Sequence, residues 1–440
     1  MTAAPDNHIF RAAHAAFETL FGVPETSGVF TPSDTPFAAR LRSFFAVAAD
    51  PAAENAPRRC AVMVNEFTRI LRGENFAAAL AAELFTAITA LQVLPRDFTP
   101  QLSENGTFIV DRCAQIIKAL QEWQRQLAGE AAGMILPGNR ELFSLLPDSD
   151  DPEAIAAWLL RGDPFAGGKV FSWQAGKFLR IAPDAVKPVE KFFGFPGIRS
   201  AYAEHFAAFA AGKSNLPLLI NSLPGYGKTS MVLSYALNFP GLTPILAAPE
   251  ILEHDWTRVV STLALRKDHR FILFFDDIDP RQIDWYNFRT NVGGAFTPPE
   301  NVMPVLTANY EFHPSILSRG RKLSYPVFDE VRCQEMVEDF LKSFGMLHPP
   351  ANLISMIAAD YTEEFGQKRF TELSPRTLMR YLKIYETDPG KRRTMMTLST
   401  GEVITRPDGE LFYEFNINLM RSLYGDTYIQ QLLKERLREL

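Results

Sequence analysis

The chain has 440 residues, of which 47% are hydrophobic and 22% are charged, and this composition predicts a folded protein of two or three domains. Its formal net charge of -6 gives no general attraction for polyanions and no long basic run is present, so nucleic-acid binding would need a local basic patch. Three widely separated cysteines, Cys60, Cys113 and Cys333, form no CxxC pair, which argues against a disulfide framework and a structural zinc site and favours a reducing cytoplasm.

The first part of the chain has helical periodicity. Loops rich in Pro, Asp and Gly separate apolar residues that recur at helical spacing over 37–48, 59–71, 75–94, 108–127 and 152–160. This pattern predicts a mainly helical N-terminal domain over residues 1–164.

One segment, FAAALAAELFTAITALQVL (76–94), is long enough to cross a membrane. It is rich in alanine and carries Glu83 near its middle, which a lipid-facing helix would hold at a cost of a few kcal/mol. We therefore predict a buried helix and no membrane contact. The N-terminus has charged residues among its apolar ones and lacks a signal-peptide core, so we expect no export.

The stretch VFSWQAGKFLRIAP (170–183) alternates apolar and polar residues and breaks at Ala175 and Gly176, which predicts a hairpin. We place it in a linker over 165–190 that marks a domain boundary.

Beyond this linker, strands alternate with helices. The apolar runs LPLLINS, TPILAAP, RFILFF, VMPVLTA and LSYPVF predict an α/β fold with a parallel sheet covered on both faces. Ligands of such sheets bind at the carboxyl ends of the strands.

The stretch LLINSLPGYGKTSMVLSY (218–235) follows this rule as a strand, a tight turn and a helix. Glycines in the turn allow positive φ, and the start of the helix adds partial positive charge, so the loop suits a phosphate chain. Gly227, Lys228 and Thr229 match the end of the GxxxxGK[ST] pattern, while Ser222 stands where its first Gly is expected. The candidate phosphate-binding residues are Pro224, Gly225, Tyr226, Gly227, Lys228, Thr229 and Ser230.

Two carboxylates end the apolar strand in RFILFFDDID (270–279). Taken alone, they are typical of a solvated turn. Because a phosphate-binding loop precedes them, we predict that Asp276 holds Mg²⁺ together with the Thr229 hydroxyl, while Asp277 polarises the attacking water.

The chain from 193 to 382 resembles the AAA+ ATPases in five motifs that follow the order of that superfamily. LPGYGKT and FILFFDD match the two phosphate and magnesium motifs, and VMPVLTANY places Asn309 where the sensor 1 residue lies. ILSRGRKLSYPVF places Arg319 and Arg321 just before the fifth strand, the position of the arginine finger, and LSPRTLMRYL places Arg376 like sensor 2 at the start of a lid helix. Taken singly, each arginine could be an ordinary surface or helix-start cation.

The resemblance also implies that FFGF (192–195) backs the adenine, which makes Phe193 and Gly194 candidate nucleotide contacts. It implies an AAA+ nucleotide-binding domain over 191–330 and a helical lid over 331–389. Residues 171–328 are similar, further, to a bacterial AAA+ family catalogued only as a domain of unknown function, through pieces such as FFGFPGIRSAYAEHF and WYNFRTNVGGAFTPPENV. That similarity supports ATP binding and supplies no substrate.

Two departures from the superfamily pattern limit the expected activity. The segment 249–262 contains no Gly beside its single aromatic residue, Trp256, which argues against a central-pore threading machine and favours Trp256 as helix core. Asp277 replaces the usual Glu, and its shorter side chain predicts slow turnover.

The C-terminal part, 390–440, predicts a hairpin around the turn at Pro407, Asp408 and Gly409, followed by an amphipathic helix in YIQQLLKERLREL (428–440). This helix would dock on the lid or form a subunit contact.

The sequence thus predicts a cytoplasmic ATPase that binds and hydrolyses Mg-ATP at the interfaces of a homo-oligomer, either a ring or a dimer. Its N-terminal helices would hold a protein partner whose state it changes. Two alternatives are a nucleotide-loaded scaffold with negligible hydrolysis and a DNA-linked loader or initiator. The second of these would need a basic surface that the sequence does not show.

Overall fold

The computed structural model describes residues 7–22, 35–50, 52–126, 130–174, 177–182, 186–291, 298–343, 348–388, 401–405 and 411–415. It contains two compact units. The first comprises Met1–Ala182, Glu250–Phe271 and Pro298–Val302, and the second comprises Pro183–Pro249, Ile272–Thr297 and Met303–Leu440.

Helices make up most of the first unit. They are α1 (Asn7–Phe21), α2 (Pro36–Ala49), α3 (Ala56–Leu71), α4 (Phe76–Ala90), α5 (Glu104–Gln126), α6 (Glu130–Gly133) and α7 (Pro152–Arg161), with α10 (Trp256–Ala264) from a later segment. The five predicted helices are present, with ends shifted by a few residues, whereas α1 was not predicted. Side-chain caps fix several starts: the Thr35 oxygen accepts the N–H of Ala38, and that of Asn75 accepts the N–H of Ala78.

The core of this unit is a cluster of aromatic rings. Phe44 packs against Phe67, Trp123 and Phe143 with ring centroids 5.4–6.3 Å apart, mostly edge to face. Helix α4 is buried at Leu80, as predicted for the alanine-rich segment. In the described ranges, no helix has both the length and the apolar character that a membrane span requires.

The sheet has seven strands: β1 (Val170–Gln174), β2 (Lys177–Ile181), β3 (Leu218–Asn221), β4 (Leu242–Leu246), β5 (Arg270–Ile278), β6 (Val302–Ala308) and β7 (Arg321–Ser324). Their order is β2-β1-β4-β5-β6-β3-β7. Strand β3 pairs in parallel with β6 and β7, with Leu219 opposite Leu306 and Lys322, and β1 pairs antiparallel with β2 as the predicted hairpin. The predicted α/β class with a mostly parallel sheet is therefore confirmed.

One placement needs correction. Arg321 was expected before the fifth core strand, but it is the first residue of β7, because its N–H donates to the carbonyl of Pro217 and so starts the pairing with β3. Of the two predicted arginines, Arg319 precedes β7 and Arg321 belongs to it.

The second unit also carries helices. They are α8 (Pro196–Ala210), α9 (Lys228–Leu237), α11 (Tyr286–Asn291), α12 (Pro314–Leu317) and the lid helices α13 (Glu330–Ser343), α14 (Ala351–Gly366) and α15 (Pro375–Thr387). A two-stranded antiparallel hairpin, β8 (Gly401–Thr405) and β9 (Leu411–Phe415), follows as predicted. The predicted amphipathic helix at 428–440 lies outside the described residues.

In the first unit, Trp256 is buried at the start of α10, which confirms its expected core position.

Candidate active site

The loop between β3 and α9 has the backbone conformation that its glycines allow. Gly225 and Gly227 have φ values of 87° and 79°, in the left-handed region where side chains are strained. A Cβ on Gly225 would also lie 3.2 Å from Ser374 Oγ, which precedes lid helix α15. Gly227 is the N-cap of α9, so the first N–H groups of this ten-residue helix begin at Lys228, next to the loop.

Lys228 is held by three oxygens. Its Nζ donates to Asn309 Oδ1 at 2.7 Å, to the Ser222 carbonyl at 3.0 Å and to the Leu223 carbonyl at 3.4 Å. Burial lowers the pKa of Lys228, the nearby Asp277 and Asp276 raise it in part, and Arg376 lowers it further. The ammonium group thus lies where the ends of β3 and β6 meet, among several charged groups.

Asp276 accepts hydrogen bonds from two threonines. Thr229 Oγ1 lies 2.7 Å from its Oδ2 and 2.9 Å from its Oδ1, and Thr307 Oγ1 lies 2.7 Å from the same Oδ1. The predicted pair of Thr229 and Asp276 is therefore in direct contact at the end of β5.

These oxygens fit Mg²⁺. Mg²⁺ prefers hard oxygen ligands and usually binds through one or two carboxylates, with water and substrate phosphates completing its shell. No group of three or more His, Cys, Asp or Glu side chains suited to a metal ion occurs among the residues that the structure describes. The Asp276 carboxylate and the Thr229 hydroxyl offer protein oxygens of this kind side by side.

Asp277 has an unusual backbone with φ of 50°. Its N–H donates to Thr307 Oγ1 at 2.8 Å, and its Oδ1 accepts from Asn309 Nδ2 at 2.6 Å. Asn309 therefore bonds both Asp277 and Lys228. Thr307, which is fully buried in β6, was not predicted, although its place two residues before Asn309 on the strand next to β5 was a usable signal.

A cavity of about 380 Å³ lies beside these groups. Part of its lining is aromatic and apolar, from Phe192, Phe193, Phe195, Met336 and Met379. The loop and the polar cluster supply the rest of the lining described here. Of the predicted residues, those that line the cavity are Phe193, Pro224, Gly225, Tyr226, Gly227, Lys228, Thr229, Ser230, Asp276, Asp277, Asn309 and Arg376. Its size falls within the usual range of ligand pockets.

Gly194 has a different place from the one expected. It does not belong to the residues found to line the cavity; its N–H donates to Asp339 Oδ2 on α13 at 2.8 Å. Its φ is 70°, and a Cβ there would lie 2.3 Å from Met336 Cγ. Gly194 therefore allows close packing against α13, whose Met336 then faces the cavity.

Arg319 and Arg321 also lie apart from the described cavity lining. A guanidinium nitrogen of Arg319 donates to the Ser315 carbonyl in α12. Arg321 pairs with Glu204 on α8 at 3.3 Å. Within one chain, Arg376 is the predicted arginine that reaches the cavity.

Tyr226 connects the loop to the start of the lid. Its hydroxyl accepts the N–H of Phe328 at 2.8 Å, and its ring packs against Phe195 and Tyr325 with centroids 5.7 Å away in each case. Helix α13 begins two residues after Phe328, at Glu330.

The fold and site together define an α/β protein with a glycine loop, a lysine and paired carboxylates at the carboxyl edge of its sheet. No protein-family model matches the chain, and no curated protein matches it.

Solved structures show a weak likeness. A variant of Thermotoga maritima RuvB aligns with a TM-score of 0.30 and 13% identity, over 54% of this chain and 83% of that one. The Thermotoga maritima RuvB Holliday junction branch migration motor aligns with a TM-score of 0.27 and 12% identity, over 54% of this chain and 83% of that one. The C. elegans protein PCH-2 aligns with a TM-score of 0.28 and 11% identity, over 43% of this chain and 69% of that one.

Proposed function

We propose that the chain is an ATPase of the AAA+ type that binds and hydrolyses Mg-ATP. One observation carries this proposal: Lys228, Thr229, Asp276, Asp277 and Asn309 meet around a cavity that aromatic rings also line. A polyphosphate would lie along the loop and the start of α9, and a flat base would lie among the aromatic rings.

Each polar group has a task in this proposal. Lys228 would exchange its bonds to Asn309 and the loop carbonyls for oxygens of the β- and γ-phosphates. Asp277 would accept a hydrogen bond from the attacking water and orient it. Asn309, which bonds Asp277 at 2.6 Å, would hold that carboxylate in place.

Mg²⁺, when bound by Thr229 and Asp276, supplies positive charge that offsets the negative charge of the phosphates. Arg376 would add charge from the lid.

The arginine finger is proposed to come from a second copy of the chain. Neither Arg319 nor Arg321 lines the cavity of its own chain, which supports a role outside their own site. We therefore propose a homo-oligomer, either a ring or a dimer, with Arg319 acting at the neighbouring site and Arg321 supporting it. In phosphoryl transfer such a finger is worth about three to five orders of magnitude in rate.

Hydrolysis would serve to switch or remodel a protein partner bound through the N-terminal helices. The proposal includes kinship with the bacterial family of unknown function. It also includes action in the cytoplasm. The proposed domains remain 1–164, 165–190, 191–330, 331–389 and 390–440.

Replacement of Lys228 tests the proposal. We expect Lys228→Ala to weaken Mg-ATP binding by about 10- to 100-fold, since a hydrogen bond to a charged group contributes about 1.5–3 kcal/mol. Lys342→Ala is the matched control, because this lysine is half-exposed on α13 and pairs with Glu338. Titration with a fluorescent ATP analogue measures both variants. Unchanged ATP affinity in folded Lys228→Ala would refute the proposed site.

A second candidate is a nucleotide-loaded scaffold in which ATP holds one conformation. The hydrogen bonds that tie Asn309 to both Lys228 and Asp277 favour it, because a closed network of this kind must open before water can be polarised. Steady-state phosphate release separates the two candidates: a scaffold would bind ATP and release almost no phosphate.

A further inference from the structure

We propose that Thr307 is a positioning residue that sets both carboxylates of the site, one for the metal and one for water. This inference rests on the proposed ATPase function and adds a residue to which the sequence motifs assign no role. Thr307 lies in β6, next to β5, and its side chain has no exposed surface.

The hydroxyl of Thr307 is both a hydrogen-bond donor and a hydrogen-bond acceptor. It donates to Asp276 Oδ1 at 2.7 Å and accepts the N–H of Asp277 at 2.8 Å. A hydroxyl has one hydrogen and two lone pairs, so the donated bond fixes the hydrogen toward Asp276 and leaves a lone pair for Asp277. One side chain therefore connects the side chain of one aspartate to the backbone of the next.

The bond to Asp276 selects one of its two oxygens. Among the described residues Thr307 donates to Oδ1, whereas the Thr229 hydroxyl has one hydrogen to share between Oδ2 at 2.7 Å and Oδ1 at 2.9 Å. A carboxylate oxygen can accept more than one bond, so Oδ2 keeps acceptor capacity that a cation can use. Hydrogen bonds to a liganding carboxylate fix its orientation, and their loss typically costs about 10- to 100-fold in metal affinity or activity.

The bond to Asp277 restrains its backbone. A non-glycine residue in the left-handed region is strained, and it stays there only where its surroundings hold it. The φ of Asp277 is 50°, and two bonds hold the residue: its N–H to Thr307 and its carboxylate to Asn309. Without the Thr307 hydroxyl, relaxation of the backbone would turn the carboxylate away from Asn309.

The test compares Thr307→Val, which keeps the shape and removes the hydroxyl, with Thr307→Ser, which keeps the hydroxyl. Thr89→Val is the matched control, since Thr89 is also buried and its hydroxyl donates to the Phe85 carbonyl in α4. Three quantities are measured in the full chain: the affinity for a fluorescent ATP analogue with and without Mg²⁺, the steady-state rate of phosphate release, and the midpoint of thermal unfolding.

We expect Thr307→Val to reduce both the gain in ATP affinity that Mg²⁺ provides and kcat by about 10- to 100-fold. Affinity for metal-free ATP should stay within about twofold, since Thr307 lies behind the aspartates and not at the loop. Thr307→Ser should restore most of both losses. Thr89→Val should lower the unfolding midpoint by a similar amount and change neither binding nor rate.

The inference is overturned if folded Thr307→Val keeps the parental Mg²⁺ dependence and kcat, if Thr307→Ser fails to restore them, or if Thr89→Val produces the same losses. If Thr307→Val does not fold, Thr307→Ala is measured instead, at a temperature below its unfolding midpoint. Its Mg²⁺ dependence and kcat are then compared with those of the parent. A failure of the proposed function looks different: the parental chain would bind no Mg-ATP, or Lys228→Ala would bind it unchanged, and both ideas would then fall.

Discussion

Lys228 shows at the scale of one residue how the site is organised without a ligand. Its ammonium group is buried, which lowers its pKa, and it lies against one side-chain oxygen and two carbonyl oxygens. A phosphate must compete with these neutral acceptors, and it can do so because a bond between two charged groups is stronger than one to a neutral oxygen. In the proposed ATPase this cation would exchange neutral partners for phosphate oxygens.

Glu83 is a second residue whose surroundings have a measurable consequence. Burial in α4 raises the pKa of Glu83 to about 7, although Thr35 and Lys177 lower it in part. In the unfolded chain its carboxyl group has an ordinary pKa of 4.5. Between these values the folded chain holds a proton that the unfolded chain has lost, so the free energy of unfolding falls as pH rises through this window.

Glu83→Gln should therefore stabilise the protein relative to the parent at pH 8 and change little at pH 4.5, because Gln keeps the shape and is always neutral. The measurement is the difference in unfolding midpoint between variant and parent across this range. Glu141→Gln, at an exposed turn, is the control and should show no such trend. A difference that does not change with pH would contradict the raised pKa of the half-buried Glu83 carboxyl group.

At the scale of elements, the glycine loop and the lid are joined through Tyr226. The bond from the Phe328 N–H to the Tyr226 hydroxyl precedes α13 by two residues, and α13 places Met336 at the cavity. A change in the loop can therefore reach the start of α13 through one hydrogen bond and two ring contacts.

Tyr226→Phe removes the hydroxyl and keeps the ring. We expect faster hydrogen exchange of the Phe328 amide and a loss of about 1 kcal/mol in stability, the usual net value of one hydrogen bond. ATP affinity should fall by a few-fold, because the lid contributes to the cavity. Hydrogen-deuterium exchange by mass spectrometry measures the first effect, with Tyr286→Phe on the exposed side of α11 as control. Equal exchange at Phe328 in variant and parent would argue against this connection.

The elements were largely predictable because local patterns decide them. Apolar periodicity and loops rich in Pro, Asp and Gly located α2 to α5 and α7, and apolar runs located the core strands. What failed depends on distant partners. Thr307 reads as one polar residue within an apolar strand, and its two aspartate contacts arise only when β5 and β6 are neighbours.

Arg266 is a second residue whose place in the structure depends on a distant partner. In LALRKDH it reads as a surface cation, yet its side chain is 3% exposed, and it bonds Asp163, 103 residues earlier, as well as Asp268. Burial disfavours the charged form of Arg266, but the two aspartates outweigh this effect and raise its pKa. Its position was beyond prediction because no local pattern refers to Asp163.

At the scale of the whole molecule, the buried pair of Asp163 and Arg266 makes deletion of the N-terminal helices a poor test of what they bind. Asp163, Arg266 and the ring of Phe85 below it all belong to the first unit. A chain that starts at residue 165 would lose Asp163 and the ring of Phe85, so that Arg266 would keep one of its two aspartates and the first unit would lose its helical core. Substitution of exposed residues such as Leu136 or Leu145 is therefore the better test of partner binding.

The proposed oligomer makes a prediction about mixed subunits. Arg319→Ala and Lys228→Ala should each lose most activity, and a mixture should recover part of it, because some interfaces then pair an intact loop with an intact arginine. Phosphate release by the mixture, after light scattering has shown co-assembly, is the measurement. A co-assembled mixture that stays as inactive as its parents, or parental activity that persists in a dilute monomer, would contradict a finger from the neighbouring subunit.

Phosphate release by Asp277→Asn tests the central claim most directly. Asn keeps the size of Asp277 and removes the negative charge that would polarise water, so ATP should still bind while hydrolysis is lost. ATP affinity and steady-state phosphate release are measured on the same preparations of parent and variant in the presence of Mg²⁺. The account predicts parental affinity and at least about a 100-fold lower rate in the variant. A variant that hydrolyses ATP at the parental rate would contradict it.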